Sequence, residues 1–215
     1  MNAYDDLGAL RHDYATGGLD ETDLDPDPMA MFRRWMDDAV GSGLHEPNAM
    51  VVASVSADGD PSMRMVLLKG LDDGFVFFTN YESRKGDELL ARDTCALLFP
   101  WHDLERQVRV EGRASRLTDV ENAAYFASRP RASQLGAWAS PQSRVVASRA
   151  ELDDRYAQVQ DRFGEDVDVP VPPHWGGFRV LPASVEFWQG RRGRMHDRLR
   201  YRRTAEGWSV ERLAP

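Results

Sequence analysis

The sequence predicts an α+β protein, mainly β, in which short strands form a closed or nearly closed antiparallel barrel flanked by helices. Three observations indicate this class. Short apolar runs rich in β-branched and aromatic residues recur, turns containing Gly and Asp separate many of them, and helix-capping signals occupy several of the segments between. The 215 residues are enough for one such domain with a substantial core.

The N-terminal part is expected to be an arm followed by one helix. The polar segment through residue 25 has no clear period, and we expect a loose arm with one short helix around Leu7 to Tyr14. Asp27 followed by Pro28 predicts a helix start, with Asp as the N-cap and Pro at the first helical position. Gly41 and the next two residues, Ser and Gly, predict its end.

The strands are predicted from apolar runs bounded by turn residues. In the fifth of them, Gln107, Arg109 and Glu111 share one face and Val108 and Val110 share the other. The predicted strands cover residues 50–56, 62–69, 75–79, 95–100, 107–112, 178–180, 184–189, 197–203 and 208–213.

Three further helices are predicted from their capping residues. Ser83 can cap a helix that runs through Ala91. Thr118 with Glu121 forms the pattern of a capping box, and so does Ser148 with Glu151. The proline-rich run 170–173 interrupts the chain without ending the domain. We therefore predict an N-terminal arm or lid over residues 1–25 and a single domain over residues 26–215.

Composition excludes several classes of function. The formal net charge of −8 disfavours a nucleic-acid binder. The single cysteine, Cys95, rules out an intrachain disulfide and fits a reducing cytoplasm. No signal peptide and no apolar stretch of membrane-spanning length is visible. Motifs for a metal, a Rossmann or P-loop nucleotide site and a nucleophile elbow are absent. We expect a cytoplasmic protein with no metal, nucleic-acid or membrane partner.

One candidate phosphate site lies at a predicted helix start. Ser83, Arg84 and Lys85 bring a hydroxyl and two cations to the first turn of a helix, where free amides and the helix dipole favour anions. Arg64 and Lys69 are five positions apart on one predicted strand, so they should project to opposite faces and could serve two different anions. Ordinary surface charge remains the alternative for each residue.

The other candidates are weaker when taken singly. Tyr125 and Arg129 are four residues apart and would share a helical face, and Ser133 follows near the next helix start. A capping Ser and an exposed Arg explain the same spacing. Gln142 and Ser143 can hydrogen-bond a heterocycle or close a loop. Trp188 and His196 are also candidate site residues. A purely structural role is the alternative for both, as a core aromatic for Trp188 and as a structural histidine for His196.

Taken together and in order, these segments resemble the pyridoxamine 5'-phosphate oxidase family. The likeness extends from about residue 10 to the end of the chain. The opening LRHDY and GGLDETDLDPDPM also look like the family's N-terminus. The matching segments are RMVLLK (64–69), FFTNYESRKG (77–86), LLFPWHDLERQVRVEG (97–112), YFASRPRASQLGAWASPQS (125–143), HWGGFRV (174–180), VEFWQG (185–190), RMHDR (194–198) and ERLAP (211–215).

The resemblance implies a split β-barrel that forms a homodimer, with FMN bound at the subunit interface. It implies a lid containing Arg11 and Tyr14, with Arg194 and His196 as catalytic residues beside the pyridine ring and Met195 also contacting substrate. The implied ligands of the vitamin phosphate are Lys69, Tyr125, Arg129 and Ser133. The implied FMN-binding positions are Arg64, Met65, Val66, Leu67, Leu68, Lys69, Phe78, Thr79, Arg84, Lys85, Gln107, Gln142, Ser143, Trp188 and Arg198, with Arg64, Arg84 and Lys85 mainly on its phosphate.

The implied activity is FMN-dependent oxidation of pyridoxine 5'-phosphate or pyridoxamine 5'-phosphate to pyridoxal 5'-phosphate. Dioxygen is the acceptor, hydrogen peroxide is released, and the amine substrate also gives ammonia. Two alternatives stay open: a related flavin oxidase of another heterocycle, of the phenazine type, and a non-catalytic barrel that binds flavin or pyridoxal phosphate. The chain departs from the family at Phe78, where some members carry Tyr, at Met195, where Leu is common, and in the middle of the lid.

Overall fold

The computed structural model describes residues 9–10, 13–14 and 17–215, which form two compact units. The first unit contains the described residues up to Asn48 together with Leu97–Val110 and Ala183–Pro215. The second contains Ala49–Ala96 and Glu111–Pro182. The chain passes from one unit to the other within three of its strands. The boundary at residue 25 between arm and domain stays a prediction.

Nine strands form one sheet in the described part of the chain. Their order is β2-β1-β5-β6-β7-β4-β3, with β8 beside β7 and β9 beside β8. Neighbouring strands pair antiparallel in β1–β2, β3–β4, β4–β7, β7–β8 and β8–β9. The strands are β1 (Ala49–Val55), β2 (Pro61–Leu67), β3 (Gly70–Leu71), β4 (Phe75–Asn80), β5 (Thr94–Trp101), β6 (Arg106–Arg116), β7 (Trp175–Gln189), β8 (Asp197–Thr204) and β9 (Gly207–Arg212).

The helices begin where their capping residues predict. Asp27 accepts hydrogen bonds from the N–H groups of Met29 and Ala30, and Ser83 accepts one from Gly86. Thr118 forms the predicted reciprocal capping box. These caps confirm three of the predicted helix starts, because each depends only on residues close in sequence. The helices are α1 (Pro28–Gly41), α2 (Arg84–Ala91), α3 (Asp119–Ser128), α4 (Arg131–Ala139) and α5 (Arg149–Phe163).

Three local predictions need correction. Residues 178–180 and 184–189 belong to one strand, β7, which continues through Pro182 because it leaves β4 after Val180 and pairs with β8 from Ser184. Ser148 caps α5, but Glu151 accepts its bond from the N–H of Ala147, so no reciprocal box forms. Half of the helix predicted around Leu7 to Tyr14 lies outside the described residues; of the other half, Ala9 is in a 3-10 turn and residues 10, 13 and 14 are not helical.

Each unit has an aromatic core of its own. In the first unit Phe32 of α1 packs on Phe99, with ring centroids 4.7 Å apart, and Trp35 packs edge-on against Phe187 at 5.1 Å. Alternating burial along β6 confirms that Val108 points inward with Val110 while the polar positions between them face outward. In the second unit the buried cluster consists of Phe126, Leu135, Phe163, Val169 and Trp175.

Neither a membrane-spanning helix nor a metal-binding cluster is found among the described residues. No helix there combines the length and the apolar character needed to cross a bilayer. No group of three or more His, Cys, Asp and Glu side chains there is arranged to hold a metal ion.

Candidate active site

Most of the predicted site residues line cavities, some in the first unit and some in the second. In the second unit two adjoining cavities of about 250 and 310 Å³ share a lining of five residues, and we call them together the stacked-ring cavity. Its predicted members are Met65, Val66, Leu67, Lys69, Phe78, Thr79, Lys85, Tyr125, Arg129, Ser133 and Gln142. In the first unit a cavity of about 440 Å³, the arm cavity, is lined by Leu10, Asp13, Tyr14, Trp188, Arg191, Gly193, Arg194 and His196.

Three nearly parallel rings form the wall of the stacked-ring cavity. Phe78 of β4 lies 3.8 Å from Tyr125 and 5.2 Å from Trp175 between ring centroids, with interplanar angles of 13° and 11°. Gly177 lies opposite Phe78 in the β4–β7 ladder, and a Cβ there would come within 3.0 Å of the Phe78 ring and 2.5 Å of Leu117. The glycine therefore leaves the room that the ring needs, and the result is a flat apolar wall suited to a planar ligand.

Arg129 carries an unpaired cation into this cavity. Its guanidinium lies 4.8 Å from the centroid of the Trp175 ring, and its Nη1 is buried with no hydrogen-bond partner among the described residues. Burial lowers the pKa of Arg129, partly opposed by Tyr125. A buried cation without a partner is costly, so this side of the cavity favours an anion.

The helical spacing from which Tyr125 and Arg129 were predicted to share a face does not apply, because Arg129 is the C-cap of α3 with extended backbone angles. Both residues nevertheless line the cavity. Ser133 lines it too, although it lies in the first turn of α4 and does not cap it, since α4 begins at Arg131 after Pro130. Their shared place in the cavity lining therefore comes from tertiary packing and not from the helical spacing.

Lys85 is hydrogen-bonded to two other residues predicted to bind flavin. Its buried Nζ donates to Thr79 Oγ1 at 2.9 Å and to Gln142 Oε1 at 2.8 Å. Burial, together with the nearby charge of Arg64, lowers the pKa of Lys85 to about 8, and Glu88 opposes this shift. Among the described residues this buried ammonium is hydrogen-bonded to neutral oxygens alone, so it is well suited to bind an anion.

The other two predicted phosphate ligands meet at Glu88. Arg64 Nη2 lies 3.1 Å from Glu88 Oε2, and Arg84 Nε lies 2.8 Å from Glu88 Oε1. Because β2 ends at Leu67, strand alternation does not decide where Lys69 points. Lys69 is exposed and lines the stacked-ring cavity, whereas Arg64 lies at Glu88, so the two cations do have different surroundings.

Aromatic rings also form the arm cavity. The ring centroid of Tyr14 lies 5.7 Å from that of Trp188 and 5.4 Å from that of His196, and the last two are 4.6 Å apart. His196 Nδ1 accepts the backbone N–H of Arg191 at 3.1 Å. The neutral imidazole therefore carries its proton on Nε2.

A buried carboxylate anchors the arm beside this cavity. Asp197 accepts the N–H of Leu19 at 2.9 Å, a bond from Arg212 at 2.8 Å and a further bond from Arg191 Nε. Arg212 also pairs with Glu21 at 2.7 Å. The chain is thus fixed at Leu19, five residues after Tyr14.

Several predicted residues lie outside the two cavities. Arg198 lies opposite Trp188 in the β7–β8 ladder, but both its Nε and Nη2 bind the buried Glu186, at 2.7 and 3.1 Å. Gln107 is half-buried in β6. Leu68 is buried, Met195 is exposed, and Ser143 is an exposed residue in the left-handed region with φ 67°. Arg11 lies outside the described residues.

Sequence reasoning missed four residues of these sites. Trp175 closes the ring stack, Glu88 holds two arginines, Glu186 pairs with Arg198, and Arg191 holds both His196 and Asp197. The spacing of Arg84 and Glu88, four residues apart on a helix, was a usable signal for one of these pairs. The other contacts join residues whose proximity no local pattern indicates.

Comparisons with known proteins agree on one family. Residues 36–163 match the model described as pyridoxamine 5'-phosphate oxidase, and residues 175–215 match the model described as pyridoxine 5'-phosphate oxidase C-terminal dimerisation region. A relative from Nocardioides sp. is 62% identical over 211 residues, 98% of each chain. One from Acidothermus cellulolyticus is 60% identical, covering 93% of this chain and 91% of its own. Both are named pyridoxine/pyridoxamine 5'-phosphate oxidase.

Solved structures show the same fold. PhzG from Burkholderia lata 383, solved in complex with tetrahydrophenazine-1-carboxylic acid, superposes with a TM-score of 0.85 at 31% identity, covering 90% of this chain and 95% of its own. A pyridoxamine 5'-phosphate oxidase-related FMN binding protein from Nostoc punctiforme gives a TM-score of 0.69 at 18% identity, covering 86% and 97%. The second likeness concerns the fold alone. The predicted split β-barrel, α+β and mainly β, is confirmed.

Proposed function

This chain belongs to the pyridoxamine 5'-phosphate oxidase family, and we propose that it oxidises pyridoxine 5'-phosphate or pyridoxamine 5'-phosphate to pyridoxal 5'-phosphate. Dioxygen accepts the electrons and is released as hydrogen peroxide. With pyridoxamine 5'-phosphate, hydrolysis by water also releases the amine nitrogen as ammonia. Among the structural observations, the one that carries the proposal is the buried, unpaired Nη1 of Arg129 in a cavity walled by aromatic rings.

The substrate's phosphate is proposed to bind at Arg129. Lys69, Tyr125 and Ser133 line the same cavity, and they supply a second cation and two hydroxyl groups. Fixed cations with hydroxyl donors are the usual ligands of a phosphate monoester. Binding would supply the partner that Arg129 lacks among the described residues, so the anion and the cation offset each other's cost of burial.

The cofactor is proposed to be FMN. The residues fit its phosphate because α2 offers a capped N-terminus, the buried ammonium of Lys85, and Arg64 and Arg84 close by. Met65, Val66, Leu67, Phe78, Thr79 and Gln142 border the cavity that would receive the rest of the cofactor. When bound, the flavin accepts the hydride from the substrate and passes its electrons to dioxygen.

Arg194 and His196, which line the arm cavity, are proposed to orient the substrate. Since His196 Nδ1 is held by a backbone N–H, Nε2 is the ring atom left to donate a hydrogen bond to a substrate oxygen. For neutral His196 to accept a proton at Nε2, its own proton would have to be on Nδ1, and the hydrogen bond from the Arg191 N–H would be lost. His196 is therefore set as a donor that positions substrate, and Arg194 supplies positive charge next to it.

We further propose a homodimer with FMN at its interface, supported by the match of residues 175–215 to a dimerisation region. Gln107, Ser143, Trp188 and Arg198 are proposed to complete the FMN contacts, Leu68 and Lys69 to contribute from the segment after β2, and Met195 to contact substrate. Residues 1–25, with Arg11 and Tyr14, are proposed to act as a lid over the domain formed by residues 26–215. A cytoplasmic location is proposed from the single cysteine.

The proposal is tested by adding pyridoxine 5'-phosphate to the flavin-loaded protein without oxygen and recording the flavin absorbance. The expected result is bleaching, followed by recovery and peroxide formation when air is admitted. Flavin binding without bleaching would indicate a non-catalytic barrel. Bleaching by a dihydrophenazine carboxylic acid but not by pyridoxine 5'-phosphate would indicate the phenazine-type activity instead.

A further inference from the structure

Glu88 of α2 is a buried carboxylate that binds four donors. Its side chain is 5% exposed. Oε2 accepts from Ser54 Oγ at 2.6 Å, from Ser62 Oγ and from Arg64 Nη2, while Oε1 accepts from Arg84 Nε. Ser54 and Ser62 are paired positions in the β1–β2 ladder, so their hydroxyls reach the same carboxylate oxygen. Buried charges are tolerated when they are paired and hydrogen-bonded, as here.

The carboxylate is charged across the neutral range. Burial raises the pKa of Glu88, but hydrogen bonds from Ser54, Ser62, Arg84 and Arg64 outweigh it and lower the pKa to about 2. Its negative charge also opposes the effect of Arg64 on the pKa of Lys85. Glu88 therefore sits as a fixed counter-charge among three cations near the start of α2.

The contacts of Glu88 restrain both arginines, and those of Arg84 leave donors unused. Arg64 is held on every side, because its Nη1 donates to the carbonyl of Val52 at 3.2 Å and to Ser54 Oγ, and its Nη2 donates to Ser62 Oγ as well as to Glu88. Arg84 binds Glu88 only through Nε, and its two terminal nitrogens make no hydrogen bond to other described residues. Glu88 thus fixes the direction of Arg84 and leaves the ends of its guanidinium available for an anion.

We propose that Glu88 is a positioning residue for the flavin phosphate, because its carboxylate holds Arg64 and Arg84 in place at the start of α2 before the cofactor binds. This inference rests on the proposed use of FMN. A preformed set of donors binds a phosphate more tightly than mobile side chains, since less side-chain freedom is lost on binding. The effect should therefore depend on the phosphate and not on the isoalloxazine ring.

The test compares FMN with riboflavin, which lacks the phosphate. Apoprotein is titrated with each flavin, and the dissociation constant is read from flavin fluorescence. For Glu88→Gln we expect the dissociation constant of FMN to rise by about ten-fold to a hundred-fold, the range for losing a charge-assisted hydrogen bond. The riboflavin constant should change less than about three-fold. Asp87→Asn is the matched control, since it removes the same charge from an exposed neighbour in α2.

Glu88→Asp separates position from charge and serves where Glu88→Gln does not fold. It keeps the charge but withdraws the carboxylate by one methylene, so FMN affinity should again fall selectively. Tighter FMN binding by Glu88→Gln would overturn the inference, because the carboxylate would then only repel phosphate. Equal losses for both flavins would also overturn it. If the wild-type protein binds neither flavin, the proposed function itself is wrong. If the wild-type protein prefers FMN and the Glu88 variants keep that preference, only the proposed role of Glu88 is wrong.

Discussion

Replacing Arg129 with Met is expected to reduce activity strongly while leaving stability nearly unchanged. The buried, unsatisfied Nη1 costs about 1–3 kcal/mol, and the contact of the guanidinium with Trp175 returns about 0.5–2 kcal/mol. These contributions nearly cancel, so the free energy of unfolding should change by about 1 kcal/mol or less. In the variant, a phosphate bound in the cavity would lack the guanidinium of Arg129, and losing one partner of a buried charge pair weakens binding by about 2–5 kcal/mol. This corresponds to a roughly 30-fold to several-thousand-fold loss in kcat/KM.

The assay measures kcat/KM for pyridoxine 5'-phosphate and for pyridoxine, with urea unfolding of the apoprotein in parallel. The variant should lose its preference for the phosphorylated substrate, while kcat/KM for pyridoxine and the free energy of unfolding change little. Arg155→Met is the control, because Arg155 forms an exposed i,i+4 ion pair on α5 that contributes little. Unchanged kcat/KM for the phosphate ester, or a loss of more than about 2 kcal/mol in unfolding free energy, would show that Arg129 is a structural residue.

Three further outcomes follow from the described contacts. Burial and Arg64 lower the pKa of Lys85 to about 8, so FMN affinity should fall as the pH rises through that value and Lys85 loses its charge. A dissociation constant of FMN that does not change across this pH range would contradict the prediction. Gly86→Ala should lower both Tm and flavin affinity, since its Cβ would come 2.1 Å from the carbonyl oxygen of Tyr81, whereas an unchanged Tm would refute the clash. Asp197→Asn should speed limited proteolysis before Leu19, because an amide cannot accept all three bonds, and an unaltered cleavage pattern would count against the anchor.

Local signals in the sequence predicted local structure well. The starts of α1, α2 and α3 follow from Asp27, Ser83 and Thr118, because a cap binds backbone groups two or three residues away. The continuity of β7 through Pro182 was missed, because a strand that changes its pairing partner has the same sequence pattern as two strands with a break between them.

The candidate site was predictable as a set of residues but not as a set of contacts. Arg64 and Glu88 are 24 residues apart, so nothing in their spacing indicates that they meet. The unpaired Nη1 of Arg129 depends on how α3 ends and where Trp175 lies, which are both tertiary properties.

The bond between Leu19 and Asp197 limits how far Tyr14, a residue of the proposed lid, can move. Leu19 is five residue steps along the chain from Tyr14, and a fully extended chain spans at most about 3.6 Å per residue. No conformation of the intervening residues can carry the Tyr14 Cα more than about 18 Å from Leu19. So short a tether keeps the Tyr14 ring near the cavity at an effective concentration on the order of millimolar or higher. Contact of the ring with Trp188 and His196 is thus an intramolecular event, and a longer tether would lower the effective concentration that favours it.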